Sequence, residues 1–234
     1  MHHREIISHL ENLADSEIAT HSQRFFKTGK GEYGYGDKFL GIRVPILRKL
    51  AKLFQDVSEA EIKKLLKSEY HEVRLFSLLI LVDQFSRGSE DEKELIYNLY
   101  LKHTKYINNW DLVDTSAHNI VGVWLANRDR SKLYELANSK SLWERRISIM
   151  STFYFIKIGD YRDTLKISET LINDSEDLIH KAVGWMLREV GNRNQEVEEK
   201  FLKKHYRKMP RTMLRYSIEK FSKERRQEYL KGVI

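Results

Sequence analysis

A pair of helical segments recurs about every 35 residues along this chain. In each pair, a polar segment with apolar residues three and four apart is followed by an apolar segment. Each apolar segment carries a marked residue near its start, and these residues are Arg74, Trp110, Arg146, Lys181 and Arg215. They lie 36, 36, 35 and 34 residues apart. Two helices per repeat, stacked side by side, predict an all-α, HEAT-like α-solenoid, which is a superhelix of antiparallel helix pairs.

One long loop interrupts this pattern. The segment GKGEYGYGDKFLG (29–41) holds five of the eleven glycines, and no segment shows the alternation typical of a β-strand. Serine–glutamate pairs with capping-box spacing predict helix starts at Ser58, Ser89 and Ser141. A length of 234 residues suits one large domain or two small ones. We expect a single HEAT-like repeat domain over residues 1–234.

The composition narrows the class of protein. Hydrophobic residues make up 41% and charged residues 32%, which is too apolar for disorder and too charged for a membrane protein. The longest apolar run, LFSLLILV, is far shorter than the roughly 20 residues of a membrane span, and the N-terminus lacks a signal-peptide pattern. The absence of cysteine excludes disulfides, zinc–thiolate sites and thiol nucleophiles. We expect a cytoplasmic protein, associated with the nucleoid in a prokaryote.

The positive charge suggests an anionic partner. The formal net charge is +7 and the isoelectric point is about 9.3. In four of the five repeats the marked residue is Arg or Lys, so one concave side of the superhelix could form a basic groove that follows the phosphates of duplex DNA. The alternative is that these cations bond neighbouring carbonyls or carboxylates where repeats meet. The sequence leaves both interpretations open.

The central repeat departs from the others, because it replaces the cation with Trp110 and adds Asp111 and Asp114. Trp110 and Asp114 are four residues apart and share one face of a helix. Asp111 suits the first turn of that helix, where an acid is stabilised by the helix dipole. Asp114 has two interpretations: an ion pair with Arg145 or Arg146, or a carboxylate that stabilises a developing positive charge.

Trp185 occupies the register of Asp114 in a later repeat, since 181 to 185 matches 110 to 114. It could line one cleft with Trp110 and Asp114, with Arg146 between the repeats. The alternative for a lone tryptophan is core packing.

Four stretches resemble the DNA alkylation repair glycosylases of the AlkD type. They are EYGYGDKFLGIRVPILRKLAK, NNWDLVDTSAHNIVGVWL, LWERRISIMSTFYFI and HKAVGWMLREVG, in this order along roughly residues 10 to 220. The resemblance implies a HEAT-like solenoid that binds duplex DNA containing alkylated bases. It also implies a monofunctional glycosylase that hydrolyses the N-glycosidic bond of N3- or N7-alkylated purines. No metal or cofactor, no membrane and no obligate protein partner are expected, and one copy suffices.

The same resemblance implies which residues form the active site. Trp110, Asp114, Arg146 and Trp185 each have the residue type that the family pattern requires. Arg145 is adjacent to Arg146, so the assignment of the phosphate-holding arginine could shift by one.

Further residues are candidates for DNA contact, and these are Tyr33, Tyr35, Lys38, Phe39, Arg145, Lys181 and Arg188. The loop that carries the first four is not a P-loop, because the lysine and hydroxyl spacing is wrong. Phe39 could instead anchor this loop on the core. Arg188 could instead pair with Glu189 or Glu219.

Two other functions compete with a glycosylase. A catalytically silent relative would bind branched or junction DNA without chemistry, and a HEAT-type scaffold would bind an acidic protein. Asp114 argues against the first. The shared face of Trp110 and Asp114 has no explanation under the second.

Overall fold

The computed structural model describes residues 2–234, which form two compact units divided between Ser116 and Ala117. Among the described residues no β-strand occurs, and one isolated parallel bridge joins Lys38 to Tyr70. The all-α class predicted from the repeat is therefore confirmed. The single domain over the whole chain stays a prediction.

The first unit contains a short N-terminal helix pair and the first repeats. Its helices are α1 (His3–Glu11), α2 (Ser16–Phe25), α3 (Val44–Ala51), α4 (Glu59–Leu65), α5 (His71–Arg87), α6 (Glu90–Lys102) and nearly all of α7 (Trp110–Ala117). A 3₁₀ turn, Thr104–Tyr106, precedes α7. Helix α5 packs against α3, α4 and α6, and most of its residues from His71 to Leu81 are buried. The core of this unit therefore centres on α5.

The second unit begins with a wide π-helical turn, His118–Gly122, that continues directly from α7. Its helices are α8 (Val123–Leu125), α9 (Ser131–Ala137), α10 (Leu142–Lys157), α11 (Arg162–Thr170), α12 (Asp177–Gly191), α13 (Gln195–His205), α14 (Arg211–Ser217) and α15 (Lys223–Lys231). A 3₁₀ turn, Ile218–Lys220, follows α14. The buried faces of α10 and α12 form the centre of this unit.

The helix pairs follow the sequence repeat. The polar helices α4, α6, α9, α11 and α13 alternate with the apolar helices α5, α7, α10, α12 and α14. In the second unit, α10 contacts α9 and the next apolar helix α12, and α12 in turn contacts α13 and α14. An apolar helix therefore packs on its polar neighbour and on the next apolar helix, which is the packing expected of a solenoid repeat.

The three predicted helix starts are confirmed, because Ser58, Ser89 and Ser141 are the N-caps of α4, α6 and α10. The hydroxyls of Ser89 and Ser141 each accept a hydrogen bond from the backbone N–H three residues on. The Ser58 side chain makes no capping bond, and Glu61 accepts instead from the backbone N–H of His3 at 2.6 Å. The spacing thus identified each start, although the capping bonds differ.

Candidate functional site

Trp110 is the first residue of α7 and lies on an aromatic platform. The preceding residue, Asn109, is fully buried, and its Oδ1 accepts a hydrogen bond from the Trp110 N–H at 2.8 Å. The half-buried indole stacks on Phe26, with ring centroids 5.3 Å apart and planes 22° apart. Phe25 meets the same indole edge-on at 5.9 Å. The end of α2 therefore holds one side of the Trp110 ring.

Two further rings extend this platform into the core. Phe26 stacks on Phe39 at 5.2 Å, and Phe39 stacks on His71 at 4.7 Å. We call Phe25, Phe26, Phe39, His71 and Trp110 the aromatic cluster. Phe39 and His71 are buried, whereas Phe25 is 57% exposed. The cluster therefore has a buried base and an exposed edge beside Trp110.

His71 lies between two carboxylates beneath this cluster. Its Nε2 is 2.7 Å from Asp111 Oδ2 and its Nδ1 is 3.4 Å from Asp37 Oδ2. Burial lowers the pKa of His71, but the charge of Asp111 and hydrogen bonds with Asp111 and Asp37 outweigh it and raise the pKa to about 9. At neutral pH the ring is an imidazolium, and both nitrogens donate. Asp111 lies in the first turn of α7, as predicted, but its contact with His71 was not predicted.

Arg74 is the second cation that contacts the Asp37 carboxylate. Its guanidinium donates to Asp37 Oδ1 at 2.7 Å and to the Ser68 carbonyl at 2.9 Å. Burial raises the pKa of Asp37, but its hydrogen bond with His71 and the charge of Arg74 hold it below the ordinary value. Arg74 is thus a buried structural cation, as the alternative interpretation of the marked residues predicts.

Asp114 lies one turn after Trp110 and is half-buried. The buried Tyr100 hydroxyl is 2.9 Å from Ser116 Oγ, and this oxygen donates its own hydrogen to the Leu112 carbonyl. Burial raises the pKa of Tyr100, and the negative charge of Asp114 raises it further. The Asp114 carboxylate therefore lies near enough to the buried Tyr100 hydroxyl for its charge to act on that group.

Both candidate arginines of the second unit are bonded to protein groups. Arg146 is 5% exposed, and its guanidinium donates to the Leu178 carbonyl. Arg145 forms two hydrogen bonds with the Asp174 carboxylate, at 2.6 and 3.2 Å, and a third with the Ser139 carbonyl at 3.0 Å. These bonds are of the kind that the alternative interpretation of the marked cations predicts.

Trp185 lies on α12 and is half-buried, so it is not a core residue. Its indole N–H donates to Glu189 Oε1 at 3.2 Å, and its ring lies 6.2 Å from that of Phe153. Glu189 also pairs with Arg193 at 2.8 Å. One edge of the indole is thus held by hydrogen bonding while part of the ring stays open to solvent.

The four candidate loop residues differ in exposure. Tyr35 is 67% exposed and Tyr33 is half-buried. Lys38 is exposed and forms an ion pair with Glu69 at 2.8 Å. Phe39 is 7% exposed within the aromatic cluster, so the structure supports its alternative role as the anchor of the loop. Tyr35 is therefore available to a partner.

The far end of the loop is tightly fastened. Gly41 has φ of +82°, and a Cβ there would lie 2.0 Å from the Asp15 carbonyl oxygen, so only glycine fits. The Glu72 carboxylate accepts hydrogen bonds from the backbone N–H groups of Leu40 and Gly41 at 2.9 and 2.8 Å. These contacts fix the backbone next to Phe39.

The two candidate phosphate contacts on α12 have carboxylate partners. Lys181 pairs with Asp177 at 2.8 Å on the same helix. Arg188 pairs with Glu219, as its alternative interpretation predicts. Both pairs would have to exchange partners to bind phosphate.

Comparison with known proteins identifies the family. A profile of the DNA alkylation repair enzymes matches residues 6–221. The chain belongs to this family. A solved structure described as a predicted DNA alkylation repair enzyme from Enterococcus faecalis has a TM-score of 0.68, covering 90% of this chain and 97% of that chain. Its sequence identity is 17%, so this likeness shows the fold alone. A comparison with curated protein sequences found no match.

A group of unpaired cations lies in the first unit of this DNA alkylation repair family member. These exposed residues, which we call the basic surface, are Arg24, Lys27, Lys30, Arg43, Arg48, Lys49 and Lys52, and none forms an ion pair with a described residue. Arg48 and Lys49 on α3, and Lys52 directly after its end, are exposed, whereas Leu47 and Ala51 of α3 are buried. Unpaired cations can bind phosphate without first breaking an ion pair.

One residue of the basic surface, Arg43, lines a cavity that it shares with rings of the aromatic cluster. A cavity of about 520 Å³ lies between α2 and the start of α3, and Phe26, Phe39, His71, Asp111 and Arg43 are among its lining residues. Arg43, two stacked rings and the residue that follows Trp110 therefore line one cavity in the first unit.

Sequence reasoning missed several members of this site. Phe25, Phe26 and His71 approach Trp110 only in the folded chain, and no local pattern marks them. The sole signal was the adjacent pair of phenylalanines before the loop, which is unusually apolar for the end of a surface helix.

The described residues form neither a metal cluster nor a membrane span. Within residues 2–234, no group of three or more His, Asp or Glu side chains is arranged to hold a metal ion. Over the same range, no helix has the length and apolar character that a bilayer crossing requires.

Proposed function

We propose that this protein hydrolyses the N-glycosidic bond of N3- or N7-alkylated purines in duplex DNA and releases the base without cutting the strand. One observation carries the proposal: a half-buried carboxylate, Asp114, lies one helical turn from Trp110, whose ring stacks on Phe26 within the aromatic cluster. Family membership supports a role in DNA repair. The chemistry of alkylated purines accounts for this choice of residues.

An alkylated purine is already a good leaving group. Alkylation at N3 or N7 gives the base a positive charge, so the electron pair of the breaking bond passes to the base, which departs neutral. The positive charge moves to the sugar, as in other glycoside hydrolyses. No acid is needed to protonate the base, and a carboxylate that acts as the sugar becomes positive lowers the barrier.

Asp114 is suited to this task. Its charge would stabilise the oxocarbenium-like sugar, and it could accept a proton from the water that adds to C1′. The half-buried position strengthens the electrostatic effect because little water screens it. The products are the free base and an abasic sugar.

Trp110 would present its ring to the same sugar. The face of an indole attracts a nearby cation and excludes water from it. Stacking on Phe26 fixes the orientation of the ring, and the exposed Phe25 extends the aromatic edge. Trp185 and Arg146 stay predicted substrate contacts of the second unit.

Duplex binding would depend chiefly on the basic surface. Its seven unpaired cations can neutralise phosphates and release counterions, which gives affinity without sequence preference. Tyr35 is exposed on the loop between these cations and is a further candidate contact.

Release of 7-methylguanine from methylated duplex, without added metal, tests the proposal. We expect Asp114→Asn to bind duplex as the wild type does and to lose about 100-fold or more in release rate, because the electrostatic stabilisation is gone. Asp91→Asn is the matched control, since Asp91 is an exposed acid in the first turn of α6. Equal rates for wild type and Asp114→Asn would leave Asp114 with a structural role only.

The wild type also separates the competing functions. Duplex affinity that falls steeply with salt, with no base release, would indicate a silent DNA-binding relative. Affinity for duplex that is weak at low salt would favour a protein scaffold.

A further inference from the structure

His71 connects three elements beneath the aromatic cluster. It is the first residue of α5, and its side chain is 2% exposed. One ring nitrogen contacts Asp37 of the loop before α3, and the other contacts Asp111 of α7. The ring also stacks on Phe39. A change in His71 would therefore be transmitted to the loop and to α7.

Two paths lead from His71 to Trp110. The first runs through Asp111, the next residue, whose Oδ1 accepts from the Leu112 N–H while its Oδ2 contacts His71. The second runs through Phe26, which lies 4.8 Å from the His71 ring and stacks on Trp110. The His71 side chain thus supports both the backbone beside Trp110 and the Trp110 ring.

We propose that His71 is a positioning residue, whose imidazolium holds the start of α7 so that Trp110, and Asp114 one turn further, stand correctly for the substrate. This inference rests on the proposed function for the identity of the reaction. An imidazolium donates to both carboxylates at once. A neutral ring donates to one only, so Asp37 or Asp111 would lose its partner and the brace would loosen.

The groups that face His71 come from every element around it. Asp37 approaches from the loop, Asp111 from α7 and Arg74 from α5 itself. From α2 the apolar Phe26 contacts the ring, and His21 lines the same cavity. Two carboxylates against one guanidinium leave a net negative surrounding, which explains why the pKa of His71 lies at about 9.

A titration followed by NMR tests this brace without substrate. The indole ¹⁵N–¹H signal of Trp110, assigned with Trp110→Phe, is recorded as the pH rises. We expect it to shift with a midpoint near pH 9 in the wild type and to show no such midpoint in His71→Gln. The Trp185 signal is the internal control, because its indole N–H donates to Glu189 of its own helix and has no contact with the His71 network. A flat Trp110 signal, or the same midpoint in both proteins, would overturn the proposal.

A second variant keeps the test decisive if His71→Gln folds poorly. Asp111→Asn retains a hydrogen-bonding group beside His71 but removes the charge that stabilises the imidazolium. We expect the Trp110 midpoint to move to lower pH in Asp111→Asn. An unchanged midpoint would contradict the proposal.

Base release supplies the functional readout. We expect His71→Gln to release base about 10- to 100-fold more slowly, because the reacting groups are misplaced. His103→Gln is the matched control, since His103 is also buried in the first unit but contacts the Leu99 carbonyl of its own helix at 2.7 Å. Equal losses in both variants would reduce His71 to a core residue. A wild type without release would defeat the proposed function, whereas the NMR titration judges His71 alone.

Discussion

Phe25 is an apolar side chain that remains in solvent at the rim of the aromatic cluster. It is 57% exposed, and its ring meets Trp110 edge-on. An exposed phenylalanine costs little stability when removed, because it buries little area on folding. Its place beside Trp110 therefore suggests that it contacts substrate.

We expect Phe25→Ala to lower the rate of base release about tenfold and to leave the melting temperature nearly unchanged. Ile158→Ala is the control, because Ile158 is 55% exposed, like Phe25, but is not part of the aromatic cluster. Release assays and thermal unfolding of both variants check the prediction. A large loss of stability in Phe25→Ala would mean that the ring serves packing instead.

Individual cations show what sequence alone could not supply. Arg74 and Arg146 fit the repeat as well as Lys181 does, yet the first two are buried and bonded to carbonyls or carboxylates. Their partners lie on other elements, so the neighbouring sequence does not reveal them. Trp110 and Asp114 could be predicted because four residues along a helix fix a shared face.

At the scale of the helix, a buried glutamic acid lies at the contact between α12 and α13. Glu198 of α13 is 1% exposed, and a Cβ on Gly191 of α12 would lie 1.7 Å from its Oε2. Burial raises the pKa of Glu198 to about 8, and the charge of Glu199 adds to the effect. At neutral pH the folded protein therefore holds Glu198 mostly as the neutral acid.

This acid makes the stability of the fold depend on pH. In the unfolded chain Glu198 titrates near its ordinary value of 4.5, so between there and about pH 8 the folded state binds the extra proton. The free energy of unfolding therefore falls as the pH rises through this window, by at most about 1.4 kcal/mol per pH unit from this group.

We expect Glu198→Gln to remove that slope and to be more stable than the wild type at about pH 8. Urea unfolding at several pH values measures it, and Glu196→Gln, an exposed acid in the first turn of the same helix, is the control. Parallel pH curves for wild type and Glu198→Gln would show that the buried acid does not bind the proton.

Helices and their pairing could be predicted because their signal is local. Periodic apolar residues and serine N-caps mark each element within a few residues, and the repeat then orders the elements. The loop before α3 was recognised by its glycines, but not its attachment, since Glu72 that fastens it lies some 30 residues on.

At the scale of the molecule, the positions of the unpaired cations matter more for binding to duplex DNA than the total net charge. The net charge of +7 includes many cations that are neutralised by a carboxylate on the same helix, such as Lys63 by Glu59. The seven cations of the basic surface have no such partner among the described residues. We therefore expect these unpaired cations to contribute more to duplex affinity than the paired cations of the same unit.

We expect replacing three unpaired cations at the end of α3 by glutamine to flatten the salt dependence of duplex binding by about 0.9 in log–log slope for each phosphate that is no longer neutralised. These residues are Arg48, Lys49 and Lys52. The matched control removes three paired cations of the same unit, which are Lys63, Arg87 and Lys93. Binding titrations at several salt concentrations compare the two. Equal slopes would mean that other residues bind the phosphates.

Hydrogen bonds to Glu72 fix one end of the loop at residues 40 and 41, whereas its earlier part is exposed. The amides of Leu40 and Gly41 donate into a buried carboxylate, whereas exposed residues and two left-handed glycines make up most of the stretch from 29 to 36. Amide hydrogen exchange should then be slow at Leu40 and Gly41 and fast in the stretch from 29 to 36. We expect the stretch from 29 to 36 to change conformation more easily than Phe39 and the platform under Trp110, which the hydrogen bonds of Glu72 hold in place.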